Sequence, residues 1–419
     1  MNFRTLFFTV IFAMASIILL GFLGRFFYLR ATPIKIGILH SLTGNLSFSE
    51  KPIVDALLMG IEELNRNHSV LQRKIVPIIA NGKSDDTVFA QEAQRLLNDE
   101  KVAVIFGCWT SSSRKAVLPF VEEHKGLLIY PVSFEGMEES KHVLCTGATQ
   151  NQQIIPAALW SVQNLGSKFF LVGSESIFSR MTIEIIKTAL ASTSAQIIGQ
   201  EFLLVGSQNT EELVNKIKES NADVIINVLH GVTNLSFFKT LRKHGITPEK
   251  IPVMTISSVS EVEFAQLGAD AMAGDYVTAS YFQSIERDEN THFVSNFKKK
   301  YGASRVISES EEAAYIGLNI WAQAVNAAQS SQALKVIQHL PNQVFNAPEG
   351  IVSIDNHLLN TWKRVYVGKL RNDGQFTIVW DSKQAIEPFL YPIFKTPQEW
   401  KQIEINFYES WGKQWTKAS

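Results

Sequence analysis

Five short clusters carry the chemistry that this sequence offers. They are His40-Ser41-Leu42-Thr43-Gly44, Gly107-Cys108-Trp109-Thr110-Ser111, Tyr130-Pro131-Val132-Ser133, Gly173-Ser174-Glu175-Ser176 and Leu229-His230-Gly231. Together they supply hydroxyls, two imidazoles, aromatic faces and the backbone N–H groups of helix starts. Such groups suit hydrogen bonding to a small neutral or weakly anionic ligand. Covalent or acid–base catalysis would need a nucleophile, a base and a group to orient the base. No such grouping is legible. H-E-x-x-H, EF-hand and G-x-S-x-G patterns are absent. Gly82-Lys83-Ser84 ends like a phosphate-binding loop, but the position of that motif's first glycine is Pro77. The nine histidines are scattered, and only His40 and His230 fall near strand ends. Cys108 and Cys145 are read either as a disulfide of an exported protein or as two small apolar side chains. The expectation is a protein with no catalytic residue, no metal and no cofactor.

These clusters need elements to position them, and the apolar pattern supplies those elements. Ile34–Leu39, Val102–Phe106, Leu127–Val132, Phe169–Val172, Val224–Val228 and Val253–Ile256 are short, nearly continuous apolar runs. Amphipathic stretches follow them, such as Pro52–Leu64, with Ile53, Leu57, Ile61 and Leu64 on one face, and Ser112–Glu123. Apolar strands alternating with helices predict parallel sheets covered on both faces. About 360 residues of this pattern exceed one core, so two α/β lobes are expected. In open parallel sheets a ligand binds beyond the carboxyl ends of the strands, which is where the clusters lie. Later on, Ile351–Ile354, Arg364–Val367 and Phe376–Trp380 alternate and predict an antiparallel addition to one sheet. Trp400, Ile403, Phe407 and Trp411 share one face of a last helix, read as docked on its own body.

Composition excludes other classes. Hydrophobic residues make up 46% and charged residues 19% of 419, which rules out a disordered chain. A net charge of −1 leaves no basic excess for a nucleic-acid partner. Leu6 to Gly24 carries no charge, and a helix of that length rises about 28 Å, close to the ~30 Å hydrocarbon core of a bilayer. Residues 1–32 are therefore read as an uncleaved membrane anchor or a signal segment. The remaining chain is expected to work outside the cytoplasm, at the inner membrane.

Several segments, read in order, resemble one family. IKIGILHSLTGNLSFSE (Ile34–Glu50), GCWTSSSRKAVLPFVEE (Gly107–Glu123), LLIYPVSFEG (Leu127–Gly136) and TGATQNQQIIPA (Thr146–Ala157) are similar to the substrate-binding proteins of urea ABC transporters. So are GITPEKIPVM (Gly245–Met254), YFQSIERDEN (Tyr281–Asn290), EEAAYIGL (Glu311–Leu318) and FNAPEGIVSID (Phe345–Asp355). The amide-sensing regulator of aliphatic amidase operons and, more distantly, branched-chain amino-acid binding proteins share the pattern.

The resemblance implies an α/β, type I periplasmic-binding fold: two Rossmann-like lobes joined by a three-strand hinge. Lobe one would comprise 33–150 plus 281–343, lobe two 151–280 plus 344–391, and 392–419 a helical tail. It implies a solute-binding protein that closes on a urea-like, amide or amino-acid-like ligand. The partners would be ABC permease subunits, or a membrane signalling partner if the protein is a sensor. Carried over by position, Ser111 meets an amide, Trp109 and Tyr130 supply aromatic walls, and Thr43, Val132, Ser133, Ser176, Phe178 and His230 complete the ligand site. Lobe two departs from the family pattern. Ser176 stands where a tyrosine is usual, Ser179 where a proline is, and His230 where an asparagine is. The tyrosine's loss would enlarge the pocket unless Phe178 turns in and refills it.

Overall fold

The computed structural model describes residues 32–256 and 261–417, together with Met14. Leu6–Gly24, expected to be an anchor or signal, lies outside the described residues. Among the described residues no helix is long and apolar enough to cross a membrane.

The first sheet collects the opening strands. In chain order come β1 (Ile34–His40), α1 (Ser47–Arg66), β2 (Ile75–Asn81), α2 (Asp86–Asn98), β3 (Ile105–Gly107), α3 (Ser111–Glu123), β4 (Leu128–Tyr130) and β5 (Val143–Cys145). The strands align as β2-β1-β3-β4-β5, parallel throughout. β1 (IKIGILH) is buried except at Lys35, and β3 is buried throughout, as strands covered by helices on both faces must be. β2 and β5 were not anticipated. β2 sits at the sheet edge and is half-exposed, and Pro77 inside its apolar run IVPIIAN argues against a strand, while β5 has only three residues.

The second sheet repeats the plan. α4 (Ile154–Asn164), β6 (Lys168–Ser174), α5 (Ile177–Leu190), β7 (Gln196–Leu203), α6 (Glu211–Glu219), β8 (Val224–Val228), α7 (Gly231–Lys243), β9 (Val253–Thr255), α8 (Glu261–Leu267), α9 (Ala269–Met272) and β10 (Tyr276–Ala279) follow in order. The chain then returns to the first sheet through α10 (Asp288–Tyr301), α11 (Glu309–Ala327) and α12 (Ala333–His339). There the Tyr301 hydroxyl donates to the Asp55 carbonyl of α1 at 2.8 Å. β11 (Val344–Ala347), β12 (Gly350–Ile354) and β13 (Thr361–Trp362) form a separate three-stranded sheet. β14 (Tyr366–Leu370) and β15 (Phe376–Asp381) join β10 antiparallel, giving the order β15-β14-β10-β9-β8-β6-β7. Only the last two alternating segments therefore extend a main sheet. Ile351–Ile354 pairs in the small sheet instead, with a partner strand, β11, just before it. The last helix, α13 (Pro397–Ser410), is held by a Thr396/Glu399 capping box, and Trp400 is fully buried against lobe-two residues.

Between the two sheets the chain crosses three times, and the crossings are tied together. The Cys145 amide donates to the Leu359 carbonyl at 2.8 Å. Gln152 Nε2 donates to the Thr361 and Ile386 carbonyls at 2.9 and 2.7 Å. Gln153 Nε2 reaches the Thr278 carbonyl at 2.6 Å, and the Ser280 amide donates to Glu309 at 2.6 Å. At the first crossing the backbone presses on the loop that follows β4: a Cβ added at Gly147 would lie 2.1 Å from the Val132 carbonyl carbon. Backbone cannot yield there as a side-chain tip would. Gly147→Ala is expected to lower stability by about 2 kcal/mol or more, measured as the free energy of guanidinium-induced unfolding. An unchanged midpoint would show that this crossing tolerates displacement.

Candidate functional site

Each parallel sheet has a point where strand order reverses. In the first sheet it lies between β1 and β3; in the second, between β6 and β8. Loops leaving such a pair diverge and open a crevice at the carboxyl ends. Here the two crevices meet. Thr110, Ser176 and His230 are the cap positions of α3, α5 and α7, helices of 13, 14 and 13 residues, and all three line one cavity. Helix starts carry partial positive charge, so three around one cavity favour an electron-rich oxygen.

Trp109, Thr110, Ser111, Ser112, Tyr130, Val132, Ser133, Ser176, Phe178 and His230 surround the cavity. Its volume is about 20 Å³. That is little more than one water requires. Eight of the nine expected site residues are thus brought together. Thr43 is not: it is exposed, and its hydroxyl accepts from Asn81 Nδ2 at 3.1 Å, bracing the loop after β1. His40 is buried beside Glu50, with Nδ1 and Oε2 3.1 Å apart, and does not line the cavity. Phe178 forms part of the wall, with its ring 5.4 Å from that of His230. The Ser176 hydroxyl is used to cap α5, accepting from the Ser179 amide at 3.4 Å.

On the lobe-one side the site rests on a buried ion pair that was not anticipated. Arg114 and Glu135 are both 0% exposed. Nη2 of Arg114 lies 3.5 Å from Oε1 of Glu135, and Nε lies 3.3 Å from Oε2 of Glu138. Its guanidinium also sits 4.7 Å over the Tyr130 ring and 4.8 Å over that of Phe134. Ser111 is built into this pair: its hydroxyl donates to Glu135 Oε2 at 2.6 Å and accepts from Arg114 Nη1 at 3.2 Å. The spacing Arg114, Val117, Val121 does put the arginine on the buried face of α3, which is the signal that could have found it. The Tyr130 hydroxyl, its pKa raised by burial, donates to the Trp109 carbonyl at 2.9 Å.

The lobe-two side is built differently. His230 packs edge-on to Trp109 at 5.8 Å, and its amide donates to Ser174 Oγ at 3.1 Å, joining the loops after β6 and β8. Glu175 makes a bidentate pair with Arg180 at 2.7 and 3.0 Å, a structural role away from the cavity. The chain's end also reaches this rim. The Trp415 carbonyl accepts from the Ile177 amide at 3.0 Å, Thr416 bridges to Ser176, and the Lys417 amide donates to the Glu175 carbonyl at 3.0 Å. Lys115 of α3 lies 4.8 Å over the Trp415 ring and 2.9 Å from Glu404 of α13. The two cysteines are free and buried. Among the described residues no group of three or more His, Cys, Asp or Glu is arranged to hold a metal ion.

The comparisons with known proteins agree with this geometry. The model of the periplasmic binding protein domain family matches residues 34–397, and the chain belongs to that family. It is a family of solute-binding proteins with the type I fold, and its name places them outside the cytoplasm. "Leu/Ile/Val-binding protein homolog 7" of Brucella melitensis is 23% identical over 385 residues, covering 86% of this chain and 94% of the relative. A crystal structure of an ABC-transporter solute-binding protein from Rhodopseudomonas palustris, in complex with 3,4-dihydroxybenzoic acid, superposes with a TM-score of 0.77. It is 18% identical and covers 85% of this chain and 98% of that one. Limonene hydroxylase of Geobacillus stearothermophilus is 38% identical, but over 121 residues only: 29% of this chain and 22% of that protein's length. So short a match says nothing of activity here, and the relatives matched over most of their length are binding proteins.

Burial lowers the His230 pKa from 6.5 to about 4. A base whose folded pKa is depressed stabilises the fold above its unfolded pKa and loses that contribution as pH falls through the folded one. From pH 7 to 4, His230 should therefore remove up to about 3 kcal/mol of stability. The measurement is guanidinium unfolding of the wild type and His230→Asn at both pH values. Equal pH dependence in the two would show that His230 is not held neutral by burial.

Proposed function

We propose that this protein is an extracytoplasmic receptor for a small urea-like or amide solute, which it delivers to an ABC importer by closing two lobes on it. The lobes in this reading are 33–150 with 281–343, and 151–280 with 344–391. Residues 1–32 hold the protein at the inner membrane or direct its export, and permease subunits are the partners.

The Ser111 hydroxyl carries this reading. Its proton goes to Glu135 and one lone pair takes the Arg114 N–H, so what remains is a single acceptor site. A ligand meeting Ser111 must offer it an N–H or O–H. The three helix starts ask for the opposite, an electron-rich oxygen. A carbonyl flanked by N–H groups satisfies both, and urea and short amides have that form. No acidic residue lines the cavity, so the ammonium of an amino acid would be buried without a countercharge, at a cost of several kcal/mol. The cavity itself is narrow, which favours a few heavy atoms over an aromatic acid, and it adjoins a larger outer space that shares Thr110, Ser112, Ser176 and His230.

A thermal-shift series with urea, acetamide, leucine and 4-hydroxybenzoate tests this. Urea or acetamide should raise the melting temperature, since a ligand that binds only the folded state stabilises it. Stabilisation by leucine or 4-hydroxybenzoate alone would overturn the proposed ligand class. In calorimetry with the ligand so found, Ser111→Ala should weaken binding by about 1–3 kcal/mol. An unaltered affinity would remove Ser111 from the site.

A further inference from the structure

Two of the three lobe-two departures from the pattern this chain resembles, Ser179 and His230, touch each other. Ser179 Oγ lies 2.7 Å from the Val228 carbonyl and 3.1 Å from His230 Nε2. A carbonyl has no proton to give, and two oxygens approach to 2.7 Å only with a hydrogen between them. The single proton of Ser179 is therefore committed to Val228. Toward His230 the same oxygen can only accept, so Nε2 must carry the ring proton. Ser179 is fully buried and outside the cavity; His230 lines it and is 7% exposed. Its other nitrogen, Nδ1, is buried and meets no protein donor or acceptor. Burial keeps the ring neutral.

We propose that Ser179, a positioning residue, fixes the tautomer of His230 so that Nδ1 is a bare acceptor on a ring that lines the cavity, and that a ligand is selected by an N–H donor that answers it. This rests on the small-amide reading above and deepens it. Ser111 and His230 then form two acceptors on opposite lobes. A ligand that donates to both draws the lobes together, whereas one carrying only a carbonyl or a carboxylate leaves Nδ1 unanswered. Sites built around a hydrogen bond reject an analogue that lacks the donor, because the site's own group is then buried unpaired.

Two measurements on the full-length protein test the inference. The first is ¹⁵N NMR of the histidine ring nitrogens at pH 7, with His230 assigned by its absence in His230→Asn. Nε2 should give the protonated and Nδ1 the unprotonated signal. In Ser179→Ala the preference should weaken, and Ser179→Thr, which restores a hydroxyl, should recover it. Protonated Nδ1 in the wild type would overturn the proposal whatever binds. The second compares acetamide with acetone and acetate, which match its shape but lack N–H. Acetamide should bind at least about tenfold more tightly than either. That margin should shrink in Ser179→Ala and return in Ser179→Thr. Acetone binding as tightly as acetamide would overturn the selection while leaving a small-solute receptor intact. Saturable binding by none of the three, with the expected tautomer present, would overturn the amide reading and the selection together.

Discussion

Arg114 is a charge with no water around it, and much of the site follows from that. An unpaired guanidinium in such a place would cost several kcal/mol. Glu135, Glu138 and the faces of Tyr130 and Phe134 are therefore gathered about it. Gathering them pins the first turn of α3 to the loop that follows β4. That loop carries Val132 and Ser133, and the helix start carries Trp109, Thr110 and Ser111. The walls of lobe one are held in register by a charge that does not itself line the cavity. The same pair also decides the direction of Ser111's proton, so a buried structural interaction determines which hydrogen bond the cavity can offer.

Lobe two reaches a comparable result by uncharged means. Where lobe one uses an ion pair to orient a hydroxyl, lobe two uses a hydroxyl to orient an imidazole. Its loops are joined by Ser174 across the β6/β8 divergence, and its aromatic wall is Phe178. Close approach between the lobes depends on small residues. Gly231 has φ +58°, and a Cβ there would stand 2.9 Å from the Leu46 side chain of the other lobe. A residue with a side chain would be strained in that conformation and would push the Leu46 side chain aside.

Most of the architecture was legible because parallel strands buried on both faces leave continuous apolar runs, and because ligand loops follow them. Val224–Val228 is the same in pattern and in structure. Two strands escaped for other reasons: β2 is an edge strand whose apolar run holds Pro77, and β5 spans only three residues. The cavity residues were legible through position and resemblance together, since eight of nine lie at strand ends that converge. Thr43 misled because its loop turns outward to pair with Asn81. Arg114 was missed because a charged residue on a helix reads as solvated unless its apolar neighbours three and seven places on are weighed. The contact between Ser179 and His230 joins residues 51 positions apart. No spacing rule reaches that far.

The chain's last described stretch has a practical consequence. Thr416 runs alongside Ser176, and Trp415 lies beneath Lys115 of the opposite lobe. This segment therefore touches both sides of the cavity mouth. An environment-sensitive dye on Lys413 or Lys417 would sit where the lobes part and meet. A reporter attached there would stand beside both walls at once while lying outside the small cavity that Trp109 and Phe178 help to bound.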